Sequence, residues 1–148
     1  MNPLEKVLLV PAAGQSTRYG LSRPKFLLQH PMGGTMLEHS IIGLENLNPE
    51  TVDRIVIVTL QEHFQGVDYG QIGSRLEGSV GVPVEFFFLD SPTSSVVETI
   101  SKYLHGQEQD IQLIIKDSDN LVRADLLEMS RVGFGMAFAS LVDFPNVV

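Results

Sequence analysis

A chain of 148 residues with 43% hydrophobic and 19% charged side chains is of a size and composition for one soluble globular domain, residues 1–148, with a buried core. Its formal charge of −8 excludes the broad basic surface that nucleic-acid binding needs, and the absence of cysteine excludes disulfides, thiol nucleophiles and thiolate metal sites. No stretch approaches the roughly 20 apolar residues of a membrane span, and the run Val7–Val10 is too short for a signal-peptide core, so a cytoplasmic protein without membrane contact is expected.

Along the chain, apolar runs alternate with helical patterns. Lys6–Pro11 forms a continuous apolar run, as expected of a strand covered on both faces. Thr35-Met36-Leu37-Glu38, directly after Gly33-Gly34, is a capping box, and the helix it starts puts Leu37, Ile41 and Leu44 on one face. Asp53–Leu60, "DRIVIVTL", predicts a second buried strand. Glu62–Ser79 falls among five glycines between Gly66 and Gly81 and predicts a poor helix in a loop-rich segment.

Val82–Leu89 predicts a third strand, whose Phe86, Phe87 and Phe88 face alternate sides and so belong to the core rather than to a stacking platform. Ser95-Val96-Val97-Glu98 has the pattern of a second capping box, followed by Val97, Ile100 and Leu104 as a core stripe. "IQLIIKDSDN", residues 111–120, predicts a fourth strand ending in acids, "LVRADLLEMSR" a short helix, and "GMAFASLVDF", residues 135–144, a fifth strand with Met136, Phe138 and Ser140 as sheet packing. This alternation predicts a three-layer, mostly parallel α/β domain. His30, His39, His63 and His105 have no metal-ligand spacing; His39 is expected on the surface or in packing.

The segment after the first strand has an unusual charge pattern. Residues 6–37 carry Lys6, Arg18, Arg23 and Lys25 and no acid, in an acidic chain. In open α/β sheets ligands bind at the carboxyl ends of strands. Gly14 permits close backbone approach there, and successive N–H groups can hold phosphate oxygens. Arg18 offers a bidentate guanidinium and Lys25 a compact point charge, with Pro24 holding the chain extended just before it. Neither G-x-G-x-x-G nor G-x-x-x-x-G-K-[ST] is present, so a phosphate loop here is of another kind.

At the fourth strand's end, Asp117 and Asp119 stand two apart, so in extended chain both carboxylates face one site. Hard oxygen ligands of this sort suit Mg²⁺, whereas Asp119 or Asn120 could equally cap the helix that follows.

"PAAGQSTRYGLSRPKFLL" resembles the signature of the sugar-phosphate nucleotidyltransferases, A-G-x-G-x-R followed by P-K, at Ala13, Gly14, Arg18, Pro24 and Lys25, with Ser16 in place of the second glycine. The resemblance implies a Rossmann-like sheet of nucleotidyltransferase type. It further implies transfer of a nucleoside monophosphate from a nucleoside triphosphate to a sugar 1-phosphate or similar phosphorylated acceptor, with release of pyrophosphate, in nucleotide-sugar biosynthesis for cell-surface polysaccharide.

Residue by residue, it assigns nucleotide binding to Ala12, Ala13, Gly14, Gln15, Ser16 and Thr17. "TSSVVETI" is similar to the family's T-x-G-x-A-E-T stretch near the base, with Glu98 and Thr99 matching and Ser95 and Val97 where Gly and Ala are usual. It favours Asp119 as the Mg²⁺ ligand with Asp117 as helper. Lys25 is expected at the α-phosphate region and Arg18 at the β- and γ-phosphates, as the catalytic cations.

Members of the family continue well past the strand matching "GMAFASLVDF", through an acceptor-binding half with a further metal-binding Asp, a position that Asp143 lies too close to the strand to fill. The nucleotide half is therefore expected without the acceptor half, together with an incompletely covered apolar surface near the C-terminus that favours self-association. Two alternatives stand beside the transferase. One is a nucleotide-binding module without turnover. The other is a nucleotide-sugar-dependent glycosyltransferase-like domain with "DSDN" as its D-x-D motif, against which the Arg18/Pro24-Lys25 loop speaks.

Overall fold

The structure, a computed structural model, describes residues 3–15 and 23–132. Its elements in order are β1 (Glu5–Ala12), α1 (Met36–Ile42), β2 (Arg54–Thr59), α2 (Tyr69–Val80), β3 (Val84–Phe88), α3 (Val96–His105), β4 (Ile111–Ile115) and α4 (Leu126–Val132), with short 3-10 turns at Lys25–Leu27 and Gln61–Phe64. The fifth strand expected at 135–144, with Met136, Phe138, Ser140 and Asp143, lies outside the described residues.

All four strands are parallel, in the order β3-β2-β1-β4. β1 is central because its sequence is apolar on both faces: Val7, Leu8, Leu9 and Val10 are all 0% exposed. Leu8, Val10, Ile55 and Ile57 point to one face, where α1, α2 and α4 bring Leu37, Ile41, Ile72, Leu76 and Leu126. Val7, Leu9, Val56 and Val58 point to the other, where α3 contributes Tyr103 and Ile100. The result is a layered α/β domain with a four-stranded, all-parallel sheet. None of its described helices is long and apolar enough to cross a membrane.

The α1 capping box is complete. Thr35 Oγ1 accepts from the Glu38 N–H at 3.3 Å, and Glu38 Oε2 accepts from the Thr35 N–H at 2.7 Å. The Glu38 carboxylate also receives Arg75 of α2, Nε to Oε1 at 2.7 Å and Nη2 to Oε2 at 3.2 Å. One buried carboxylate thus caps α1 and joins it to α2. Burial opposes its ionisation, but Arg75 and the Thr35 hydrogen bonds outweigh burial, and the carboxyl titrates below its ordinary value.

Three sequence expectations are corrected. The segment expected as a poor helix among loops forms a regular 12-residue helix, α2, and its glycines have places in it. Gly81 ends the helix at φ 71°, the left-handed region that favours glycine, and Gly73 is buried where an added Cβ would stand 3.3 Å from Phe86. The helix therefore lies close to β3 through a residue with no side chain.

The second correction concerns α3, whose buried residues are Thr99 and Tyr103 rather than the Val97/Leu104 stripe. Val97 is 75% exposed and Leu104 is also exposed. Third, the α3 cap is half a capping box. Ser95 Oγ accepts from the Glu98 N–H, while Glu98 Oε2 reaches past the cap to the N–H and hydroxyl of Ser94, both at 2.7 Å. Phe86 and Phe88 stack on each other and meet Phe64 edge-on, with Tyr69 edge-on to Phe88, and Phe87 meets Tyr103 on the opposite face, as strand alternation requires.

Replacing Glu38 with Gln should cost about 2 kcal/mol, as it weakens the hydrogen bonds to a charged group in two elements at once. A urea titration should show a lower midpoint at constant slope. Because the folded carboxyl titrates below its unfolded value, the stability it adds is complete above the ordinary carboxylate range and is lost as pH falls through the folded value. Glu38→Gln should accordingly show a shallower acid limb; equal slopes in the two proteins would refute the coupling.

Candidate functional site

The chain passes from β1 to β2 to β3 on one side, then returns across the sheet to set β4 on β1's other edge. The carboxyl end of β1 is therefore the switch point at which open parallel sheets form a crevice. Thr59, 0% exposed at the end of β2, donates its hydroxyl to the Ala12 carbonyl at 2.9 Å. His63, in the turn after β2, also lies against that carbonyl; burial lowers its imidazole pKa, a shift that the Ala12 hydrogen bond and Glu62 oppose. Ala12 is thus a buried strand end whose carbonyl is already engaged.

Past the end of β2, Gly14 bridges directly to Thr93 in parallel fashion, and the Thr93 N–H donates to the Ala13 carbonyl at 3.0 Å. This pairing floors a cleft of about 610 Å³ lined by Pro11, Ala13, Gly14 and Gln15 on one side and by Pro92–Val96, Glu98 and Thr99 on the other. That volume lies in the range of small-molecule sites. Gly14 has nothing within 4 Å of where a Cβ would sit, so its backbone is open to the cleft.

Thr99 is buried, its hydroxyl 2.6 Å from that of Thr93 and 3.2 Å from the Ser95 carbonyl. The Glu98 carboxyl is held below its ordinary value by the Ser94 N–H, with the Ser94 hydroxyl and Lys102 adding to the effect. The entry to α3 therefore carries a carboxylate held by Ser94, just ahead of the cap. The cleft offers hydroxyls, carbonyls and that carboxylate, a set suited to a neutral polar group rather than to polyphosphate.

Cations stand on the other side of the β1 exit. After Pro24, extended at φ −56° and ψ 145°, Lys25 begins a 3-10 turn whose Phe26 and Leu27 are buried in the core on the face opposite α3. The Lys25 ammonium lies 3.5 Å from Asp119 Oδ2, with the side chains 48% and 28% exposed. Both groups remain accessible while facing each other.

Asp117 has different surroundings. One of its carboxylate oxygens meets the Lys116 ammonium, and the other accepts from Asn120 Nδ2 at 2.5 Å. The two aspartates, equivalent by spacing, thus face different partners.

Of the residues singled out in the sequence, Ala13, Gly14, Gln15, Glu98 and Thr99 meet at the cleft, and Lys25 meets Asp119. Ala12 lies beneath, and Asp117 turns toward Lys116. Ser16, Thr17 and Arg18 lie outside the described residues. Sequence reasoning missed Thr93, Ser94 and Lys116. Thr93 and Ser94 lay inside the quoted "TSSVVETI" stretch but were given no role of their own, whereas a lysine ending an apolar strand was the available signal for Lys116.

Among the described residues no three His, Asp or Glu side chains gather as a metal cage. Asp119 alone still fits Mg²⁺, which is commonly held by one or two carboxylates together with waters and substrate phosphates. His30 and His39 stack with ring centroids 3.7 Å apart, and His39 Nε2 lies 2.7 Å from the Gly33 carbonyl, which makes this pair part of the turn before α1. Compared with protein-family models and with curated proteins, the chain finds no match.

An exposed ion pair of this kind contributes at most about 1 kcal/mol. Lys25→Ala should therefore shift the thermal midpoint only slightly. Global unfolding of this variant would place Lys25 among the structural groups instead.

Proposed function

We propose that the chain is a Mg²⁺-dependent nucleotidyltransferase domain with a Rossmann-like sheet, acting on a nucleoside triphosphate and a sugar 1-phosphate or comparable phosphorylated acceptor. One observation carries this reading. Lys25 and Asp119, contributed by the segments that follow β1 and β4, lie 3.5 Å apart at the carboxyl end of the sheet, and the cleft at Gly14 opens on the other side of the β1 exit. A loop cation and a hard oxygen ligand in that arrangement suit the two halves of a metal–polyphosphate complex. The resemblance of Ala13, Gly14, Arg18, Pro24 and Lys25 to the sugar-phosphate nucleotidyltransferase signature supports the same assignment.

The chemistry of the two sides gives an orientation. The nucleoside lies in the cleft, where Thr93, Ser94, Ser95 and Glu98 provide donors and acceptors. The phosphates lie toward Lys25, away from the Glu98 carboxylate that would repel them. The attacking phosphate oxygen of the acceptor is already anionic at neutral pH and needs no general base. It forms a bond to the α-phosphorus, the bond from that phosphorus to the bridging oxygen breaks, and pyrophosphate leaves with the electron pair.

Lys25 offsets charge at the α-phosphate, and Arg18 at the β- and γ-phosphates. Gly14 and the Thr93 pairing hold the reactants in line. Bound at Asp119, Mg²⁺ would supply further neutralisation of the phosphate oxygens.

Two measurements decide the matter. Pyrophosphate release, followed with CTP, UTP, ATP and GTP against a panel of sugar 1-phosphates, should occur with one pairing; nucleotide binding without release would make the domain a binding module. In calorimetry, Lys25→Ala should weaken triphosphate binding by about tenfold, the loss of one charge-assisted contact. Asp119→Asn should remove the Mg²⁺ dependence of binding, and an unchanged metal requirement would exclude Asp119 as the ligand. Tighter binding of a nucleotide sugar than of any triphosphate would favour a glycosyltransferase.

A further inference from the structure

Lys116 is 6% exposed, the only buried lysine among the described residues, and it sits between the last residue of β4 and Asp117. Its backbone N–H extends the sheet by donating to the Leu9 carbonyl at 3.0 Å. A buried ammonium is tolerated only when its donors are matched, and this one has three acceptors for three donors. They are the Asp117 carbonyl at 3.0 Å, the Asn120 carbonyl at 2.6 Å and the Asp117 carboxylate.

All three acceptors belong to the next four residues, so the chain folds over the ammonium as a closed loop. Asn120 completes the ring through its amide on Asp117, and Ser40 Oγ of α1 steadies it from outside, 3.3 Å from the Ser118 carbonyl. Asp119 is the acid of this loop that the ring does not consume, and it faces Lys25 at 3.5 Å.

We propose that Lys116 is a positioning residue: its buried ammonium closes the 116–120 loop, consumes Asp117 as its counter-ion, and presents Asp119 alone as the metal-binding carboxylate. This rests on the nucleotidyltransferase reading above. Two carboxylates spaced for a shared metal are thereby divided between two tasks, one holding the loop and the other facing the substrate. Lys116 touches neither substrate nor metal and acts through the geometry of Asp119.

The test is an NMR titration of the 148-residue chain with Mn²⁺ alone, reading paramagnetic broadening of the amide signals of residues 117–120. Lys116→Met should require roughly tenfold more Mn²⁺ for half-broadening, the size of effect typical when a group supporting a metal ligand is lost. Electrostatics without positioning has the opposite sign, since removing a cation beside two carboxylates favours metal binding. Asp117→Asn, which takes the counter-ion from the same loop, should shift half-broadening to higher Mn²⁺ as Lys116→Met does while keeping a saturable response.

Half-broadening of Lys116→Met at or below the wild-type Mn²⁺ concentration would overturn the proposal. So would an Asp117→Asn variant as unresponsive as Asp119→Asn. Should Lys116→Met lose its folded spectrum, Asp117→Asn decides alone: retained broadening at higher Mn²⁺ supports the proposal, and lost broadening or a wild-type titration overturns it. Asp119→Asn separates the two levels of inference. If it broadens like wild type, the metal-dependent function falls and the proposal with it; if it alone loses the response while Lys116→Met keeps it, only the proposal falls.

Discussion

Burial of β1 on both faces and hydrogen bonding along both of its edges is the constraint on which the remaining structure depends. Val7 to Val10 are fully buried, and the strand pairs with β2 from Val7 to Ala12 and with β4 from Glu5 to Leu9. A parallel strand in this position cannot slip without turning its side chains to the wrong face and breaking both ladders. The register therefore fixes which loops share the carboxyl edge. The Lys25 turn and the loop bearing Asp119 are neighbours because β4 pairs along β1. The return of the chain from β3 sets Thr93 against Gly14 and opens the cleft.

Charge at this edge is arranged by burial. Lys25 and Lys116 are chemically the same residue, yet their surroundings differ in exposure and in partners. Lys25 stands half-exposed on a short turn, its charge screened by water, so it can exchange its carboxylate partner for a ligand at little cost to the fold. Lys116 is enclosed, with every donor matched by an oxygen of its own loop, and cannot exchange partners without leaving buried groups unsatisfied. Glu38 is the acidic counterpart of Lys116: enclosed, fully matched, and placed where two helices meet. Among the described ion pairs, Glu38 and Lys116 are the enclosed members, whereas Lys25–Asp119 is one of several pairs open to water.

Much of the fold was legible because it is local. A continuous apolar run between turns is a buried strand wherever it occurs, and β1 and β2 lie where their runs placed them. The Thr35–Glu38 box starts α1 because the residues that cap the helix are within one turn of each other. Two helices were harder, for different reasons. In α2 the glycines argued against a helix, since their cost is local, whereas the benefit of Gly73 is a close approach to Phe86 that only appears once β3 is beside it. In α3, the periodicity of Val97, Ile100 and Leu104 pointed to a core face, but the buried face carries Thr99 and Tyr103. The helix is rotated so that Thr99 can reach Thr93 and Tyr103 can fill the space above β1 and β2, a choice made by the sheet beneath.

The candidate site divides along the same line. Sequence by itself determined the acid-free segment after β1, the open backbone at Gly14, the cation after Pro24 and the acids after β4, because residue type and spacing within a few positions carry that information. Spacing left Asp117 and Asp119 equivalent, since two residues apart in extended chain they differ in nothing local, and only the family resemblance favoured Asp119. Tertiary structure gives them different partners: the buried Lys116 ammonium meets the carboxylate of Asp117, which itself stays 47% exposed, and the alignment of β1 with β4 brings Lys25 across to Asp119. That distinction depends on which ammonium is shielded from water, a property set by packing between segments distant in the chain.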